Sequence, residues 1–168
     1  NTIPDTSGDG ITVQGASATV VNNTIESNKK GISVVGSASA RIGLTEGGQA
    51  GQNTIGDNEL EGIQVANGGA VYIFANIVQR NGLGTNRSGV GIYRATGELI
   101  GDNTIQGNGG HGVVVTQGAL YMSKGDFNIN AGPDLITENG YSGIFGWNGA
   151  SLDIRHLIVT DNSQNGIS

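Results

Sequence analysis

Apolar residues in this chain recur at every second position in short runs, not at the three- and four-residue spacing of an amphipathic helix. Ile11-Thr12-Val13, Ile32-Ser33-Val34 and Ile63-Gln64-Val65 are such runs, each behind a glycine. A second set follows N-x-[IV]-x-x-N, at Asn23 to Asn28, Asn53 to Asn58, Asn76 to Asn81 and Asn103 to Asn108, with looser copies ending at Asn139 and Asn162. A third set begins with small residues, as in Ala16-Ser17-Ala18-Thr19-Val20, Gly69-Ala70-Val71-Tyr72 and Gly118-Ala119-Leu120-Tyr121. Period two predicts strands, and the three sets alternate in a fixed order. A strand of four or five residues cannot bury its apolar face alone, whereas stacked copies bury it against each other. The prediction is an all-β solenoid of about seven coils, 21 to 31 residues each, with three short strands per coil.

Inward residues then form columns. One is expected to hold Ile11, Ile32, Ile63, Ile92, Val113, Ile144 and Ile167, with the repeat glycine of the fourth coil at Gly91. Another holds Ile25, Ile55, Val78, Ile105, Ile136 and Val159. Glycine and asparagine at the corners are expected to supply positive φ. Six asparagines in register, Asn28, Asn58, Asn81, Asn108, Asn139 and Asn162, predict a ladder in which each amide bonds the coils on either side.

Composition narrows the class. Of 168 residues 31 are glycine, only 2 are proline and none is cysteine, so neither collagen nor disulfide chemistry applies. The net charge is −6, and the eight Lys and Arg are scattered, unlike the basic footprint of a nucleic-acid binder. No apolar run reaches the length of a membrane span. The expected location is extracellular or on a bacterial or phage-like surface. One solenoid is expected over 1–168, as a segment of a longer protein.

The Asn-Thr-Ile strands, the turn asparagine, Gly-Ile-x-Val and Gly-Ala together resemble the right-handed parallel β-helix of the pectate-lyase-like superfamily. The resemblance implies a right-handed coil and raises three activities: polysaccharide hydrolase, lyase and epimerase. Gly110-His111-Gly112 matches the Gly-His-Gly turn of polygalacturonase-type hydrolases, with Asp102 upstream, so His111 and Asp102 are the catalytic candidates. The paired aspartates and the Arg-Ile-Lys element of that family have no counterpart, and glycoside hydrolysis needs two carboxylates. No cofactor is expected. Calcium is the one ion considered, and the acids that would hold it, Asp57, Glu59 and Glu61 or Asp102, Asp126 and Asp134, form no stacked set.

The leading expectation is therefore a non-enzymatic structural or adhesive module. Tyr93, Phe145 and Trp147 are predicted on one outer face as carbohydrate-binding residues, because rings on a flat face stack on sugars. Val71, Ile73, Leu120 and Met122 are expected to face outward and meet a neighbouring subunit or domain. Arg94 is placed in an inward slot with Glu98 nearby, which predicts either a buried ion pair or a bulged coil. Insertions at 43–52, 82–90 and 124–131 lengthen turns where function on repeat scaffolds resides.

Overall fold

The structure, a computed structural model, describes residues 1–5, 7–122 and 131–168. Nineteen strands form three parallel sheets, with no helix among the described residues. Sheet A stacks Thr2–Pro4, Thr24–Glu26, Thr54–Gly56, Ile77–Gln79, Thr104–Gln106, Asp134–Thr137 and Leu157–Thr160. Sheet B stacks Ile11–Gln14, Ile32–Val35, Ile63–Ala66, Val90–Tyr93, Val113–Thr116 and Ile144–Trp147. Sheet C stacks Ser17–Val20, Ser39–Ile42, Ala70–Phe74, Thr96–Gly101, Ala119–Met122 and Ser151–Asp153. The chain passes A, B, C in turn, and each strand pairs only with its equivalents one coil away. This is a three-sheet parallel β-helix. Its interior is a continuous apolar shaft in which Ile25, Ile55, Val78, Ile105 and Ile136 lie one above another. Each such side chain contributes about 1.5–3 kcal/mol by leaving water.

The repeat glycine has a steric reason. A Cβ on Gly62 would stand 2.7 Å from Asn81 Nδ2 and 2.7 Å from Val78 Cγ1. The same collision, with the ladder asparagine and the Ile or Val of the next coil, recurs at Gly10, Gly31, Gly89, Gly112 and Gly143. None of these glycines has positive φ, and neither do the ladder asparagines. The left-handed residue is the one before each asparagine: Ser27, Asp57, Arg80, Gly107, Glu138 and Asp161. Positive φ at the corners does fall on glycine and asparagine elsewhere, as at Gly15, Gly36, Gly68, Asn22, Asn67 and Asn148, but not on the repeat glycine or the ladder asparagine. Close packing demands the glycine and hydrogen bonding the asparagine.

In the fourth coil the register differs by two residues from the sequence expectation. Val90, not Ile92, pairs with Ile63 and Val113, so Gly89 is the repeat glycine. Arg94 consequently leaves the inward slot. It lies exposed at a corner, φ 51°, with Nη2 donating to Asn67 Oδ1 at 3.3 Å. Glu98 pairs with Tyr72 and Tyr121 on the outer side of sheet C, so no buried Arg94–Glu98 pair forms.

Sheet C has the opposite facing from that expected. Val71, Ile73, Leu120 and Met122 are 0–2 % exposed in the main core and cannot form a contact surface. Period two leaves open which alternate set faces in, and burial of four aliphatic side chains decides it. A register shift between Leu99 and Gly101 carries Ile100 out of the shaft. Ile100 joins Leu44, Phe74, Ala75 and Ala131 in a second small core, against which the half-buried Tyr72 packs. The loop 43–52 closes on itself through an antiparallel bridge between Leu44 and Ala50. Of the insertion at 124–131, residues 124–130, with Asp126, lie outside the described residues.

Candidate functional site

The outer side of sheet B carries the aromatic residues. Its pairing defines two ranks: Thr12, Ser33, Gln64, Gly91, Val114 and Phe145, then Gln14, Val35, Ala66, Tyr93, Thr116 and Trp147. Tyr93 therefore shares the rank of Trp147, two coils away, rather than that of Phe145. Trp147 is 64 % exposed. Phe145 stacks on the His111 ring, centroids 4.6 Å apart and 7° between planes, and the Tyr141 ring is tilted at 53° to His111, centroids 5.3 Å apart.

Tyr93 is not a free platform. Its ring lies across Gly91, and its hydroxyl is 3.0 Å from Glu61 Oε1. Glu61 is 1 % exposed, and Arg87 Nη1 stands 3.6 Å from the same oxygen. Burial, and then the Glu61 carboxylate, push the Tyr93 hydroxyl well above its ordinary value, so it stays protonated and donates to Glu61.

His111 and Asp102 do not come together as an acid–base pair. Asp102 sits at the corner entering the strand Thr104–Gln106, where its Oδ1 accepts from Gly132 N at 2.8 Å. His111 lies beyond the corner leaving that strand. Burial pulls its imidazole below the ordinary value, and Nδ1 accepts from Ser142 N at 3.2 Å. The neutral ring therefore carries its proton on Nε2. Its visible work is to support Phe145.

The asparagine ladder forms as expected. Asn58, Asn81, Asn108 and Asn139 each direct Nδ2 to Oδ1 of the next ladder residue at 2.8–3.0 Å, ending on Asn162. Asn28 joins through its backbone N–H, 3.0 Å from Asn58 Oδ1. A second ladder, missed in the sequence, runs through the first asparagine of each N-x-[IV]-x-x-N motif. Asn23, Asn53, Asn76 and Asn103 link in series and end on Asp134. The recurrence of that first asparagine was the signal. Leu157 pairs with Asp134 in the next coil, so the last rung has no side-chain acceptor above it. A carboxylate, which only accepts, suits that place.

Burial pushes the Asp134 carboxyl up to about 6 against the bonds from Asn103, which pull it down. The folded chain thus holds this proton more tightly than the unfolded one. Its stabilising effect is complete below the unfolded value of 3.8 and disappears as pH rises through about 6. Asp134→Asn, which removes this titration, is expected to flatten the fall in stability between pH 4 and 7. Urea midpoints at both pH values check this, and an unchanged pH slope in the variant refutes it.

Residues 1–123 match the family described as periplasmic copper-binding protein (NosD). The chain belongs to that family, a right-handed parallel β-helix family. No curated protein and no solved structure matches significantly. The family's compartment, the periplasm, agrees with the extracytoplasmic location expected from the sequence, and no described helix is long and apolar enough to cross a membrane.

The residues present do not fit a copper centre. Copper favours thiolate, thioether and imidazole donors. The chain has no cysteine, two histidines and one methionine. Met122 is enclosed in the shaft, His111 makes ring contacts with Tyr141 and Phe145, and His156 Nε2 is 3.3 Å from Ala131 O. Among the described residues no three His, Asp or Glu side chains converge to hold a metal, calcium included.

Proposed function

We propose that this chain is a rigid, non-catalytic β-helix module of the extracytoplasmic space, structural or adhesive in role, that binds carbohydrate on sheet B. Trp147 is the stacking platform, Phe145 on its His111 support extends it, and Tyr93 lies on the Trp147 rank. The supporting observation is the indole of Trp147, 64 % exposed on a regular strand, where an unpaired ring otherwise costs solubility. Pairing with the strand Val113–Thr116, where Thr116 lies opposite Trp147, holds its backbone, so binding requires little ordering.

The second reading is a polysaccharide lyase, hydrolase or epimerase. It draws on Glu61, a buried carboxylate in the turn before the sheet B strand Ile63–Ala66, with Tyr93 and Arg87 against it. One experiment separates the two. Native electrophoresis in gels containing soluble polysaccharides is expected to retard the chain, and Trp147→Ala to weaken retardation without lowering the melting temperature. Equal retardation of the variant overturns the binding face. New reducing or unsaturated ends appearing in the polysaccharide overturn the non-catalytic reading.

A further inference from the structure

The corrected facing of sheet C leaves an outer surface with a pattern of its own. The outward rank reads Thr19, Arg41, Tyr72, Glu98, Tyr121 and Asp153 on successive coils. Beside it runs a rank of small side chains, with Ser39, Ala70, Thr96 and Ala119 in register. Small residues beside large ones make a step along the solenoid axis. At its N-terminal end the step deepens into a groove between Ser39, Arg41 and Tyr72 on the sheet and Glu46 on the loop 43–52.

Several features identify what would lie there. Tyr72 and Tyr121 are two coils apart, about 10 Å. Alternate residues of a β-1,4-linked glycan, an extended ribbon with a two-residue repeat, recur at the same distance and present the same face. Tyr72 is held in place by the second core, and Tyr121 is 44 % exposed. Glu98 lies between them, where a carboxylate accepts from sugar hydroxyls, and Arg41 offers donors one coil before Tyr72. The rank mixes both signs of charge on a chain of net charge −6, which disfavours a polyanion. The small rank lets the ribbon approach the backbone.

We propose that this strip is a second carbohydrate site, for a neutral β-1,4-linked glycan aligned with the solenoid axis, with one ring on Tyr72 and the next but one on Tyr121. It is independent of the sheet B site, because the two lie on different sheets.

The test uses hexasaccharides of glucose and of N-acetylglucosamine, both β-1,4-linked, and the matching disaccharides, titrated by NMR. At least one hexasaccharide is expected to bind, shifting amides of Ala70–Phe74 and Ala119–Met122. The disaccharide, too short to reach both rings, is expected to bind at least about tenfold more weakly, as is the hexasaccharide to Tyr121→Ala. Tyr121→Phe should retain binding, which separates a lost ring from a lost fold, and Trp147→Ala should leave this site unchanged. The proposal falls if neither hexasaccharide binds, if the shifts map to sheet B and vanish in Trp147→Ala, or if Tyr121→Ala binds as tightly as the parent chain.

Discussion

Replacing Asn81 with alanine is expected to destabilise the chain by about 3–6 kcal/mol, enough to unfold much of the population of an ordinary domain. Asn81 is fully buried at the middle of the first ladder. Its Oδ1 accepts from Asn58 N at 3.2 Å and Asn58 Nδ2 at 2.8 Å, and its Nδ2 donates to Ile55 O and Asn108 Oδ1, both at 3.0 Å. Truncation strands two donors of Asn58 and removes a donor from Ile55 O on that same coil and from Asn108 Oδ1 on the next, with no route for bulk water. Each orphaned buried group costs about 1–3 kcal/mol. In a solenoid each coil touches only its neighbours, so a defect at mid-stack separates the two halves, whereas Asn162→Ala, at the less buried last rung, should cost less. Urea denaturation decides the matter, and a loss below about 1 kcal/mol for Asn81→Ala would sink the ladder as a source of stability.

The second large effect is expected at Gly62. Alanine there needs no forbidden φ, so propensity alone favours the change. The added methyl would nevertheless stand 2.7 Å from both Val78 Cγ1 and Asn81 Nδ2, and 2.9 Å from Gly89 O. The coils must part or the ladder amide must turn, at a cost of about 1–3 kcal/mol for overpacking, with lost hydrogen bonds in addition. Gly47→Ala is the matched control, because nothing lies within 4 Å of its Cβ and its φ is not positive. Its melting point should stay level or rise slightly. Equal melting points for the two variants would refute the steric account of the repeat glycine.

The coil count, the shaft and the first ladder were legible because they depend on recurrence, which sequence displays directly. Where two neighbouring patterns satisfied the same recurrence, it misled. Gly89-Val90-Gly91-Ile92 contains two glycine–aliphatic pairs, and only the pairing of Val90 with Ile63 chooses between them. A slip of two residues preserves inside and outside, so Tyr93 still faced out, but one rank along. In sheet C the ambiguity was of parity. Ala18 and Ala40 occupy inward slots in the first coils, so small residues stand on both sides of the alternation and pattern alone does not turn Val71, Ile73, Leu120 and Met122 inward. The contacts Tyr93–Glu61 and His111–Phe145 join residues more than thirty positions apart, and nothing local in the sequence announces them.

Both ladders also have a direction. Every linked side-chain amide sends one N–H to the oxygen of the next rung, in the following coil, and its other N–H to a backbone carbonyl, while rung oxygens from Asn53 onward accept from the preceding coil. Aligned amides add head to tail, as peptide groups do in a helix. The described stack therefore carries an axial dipole, positive toward the C-terminal coils. Asp134 puts its carboxylate at that positive pole. Two such stacks meeting end to end would attract head to tail and repel head to head, so the side-chain columns give an outwardly repetitive rod an electrical front and back.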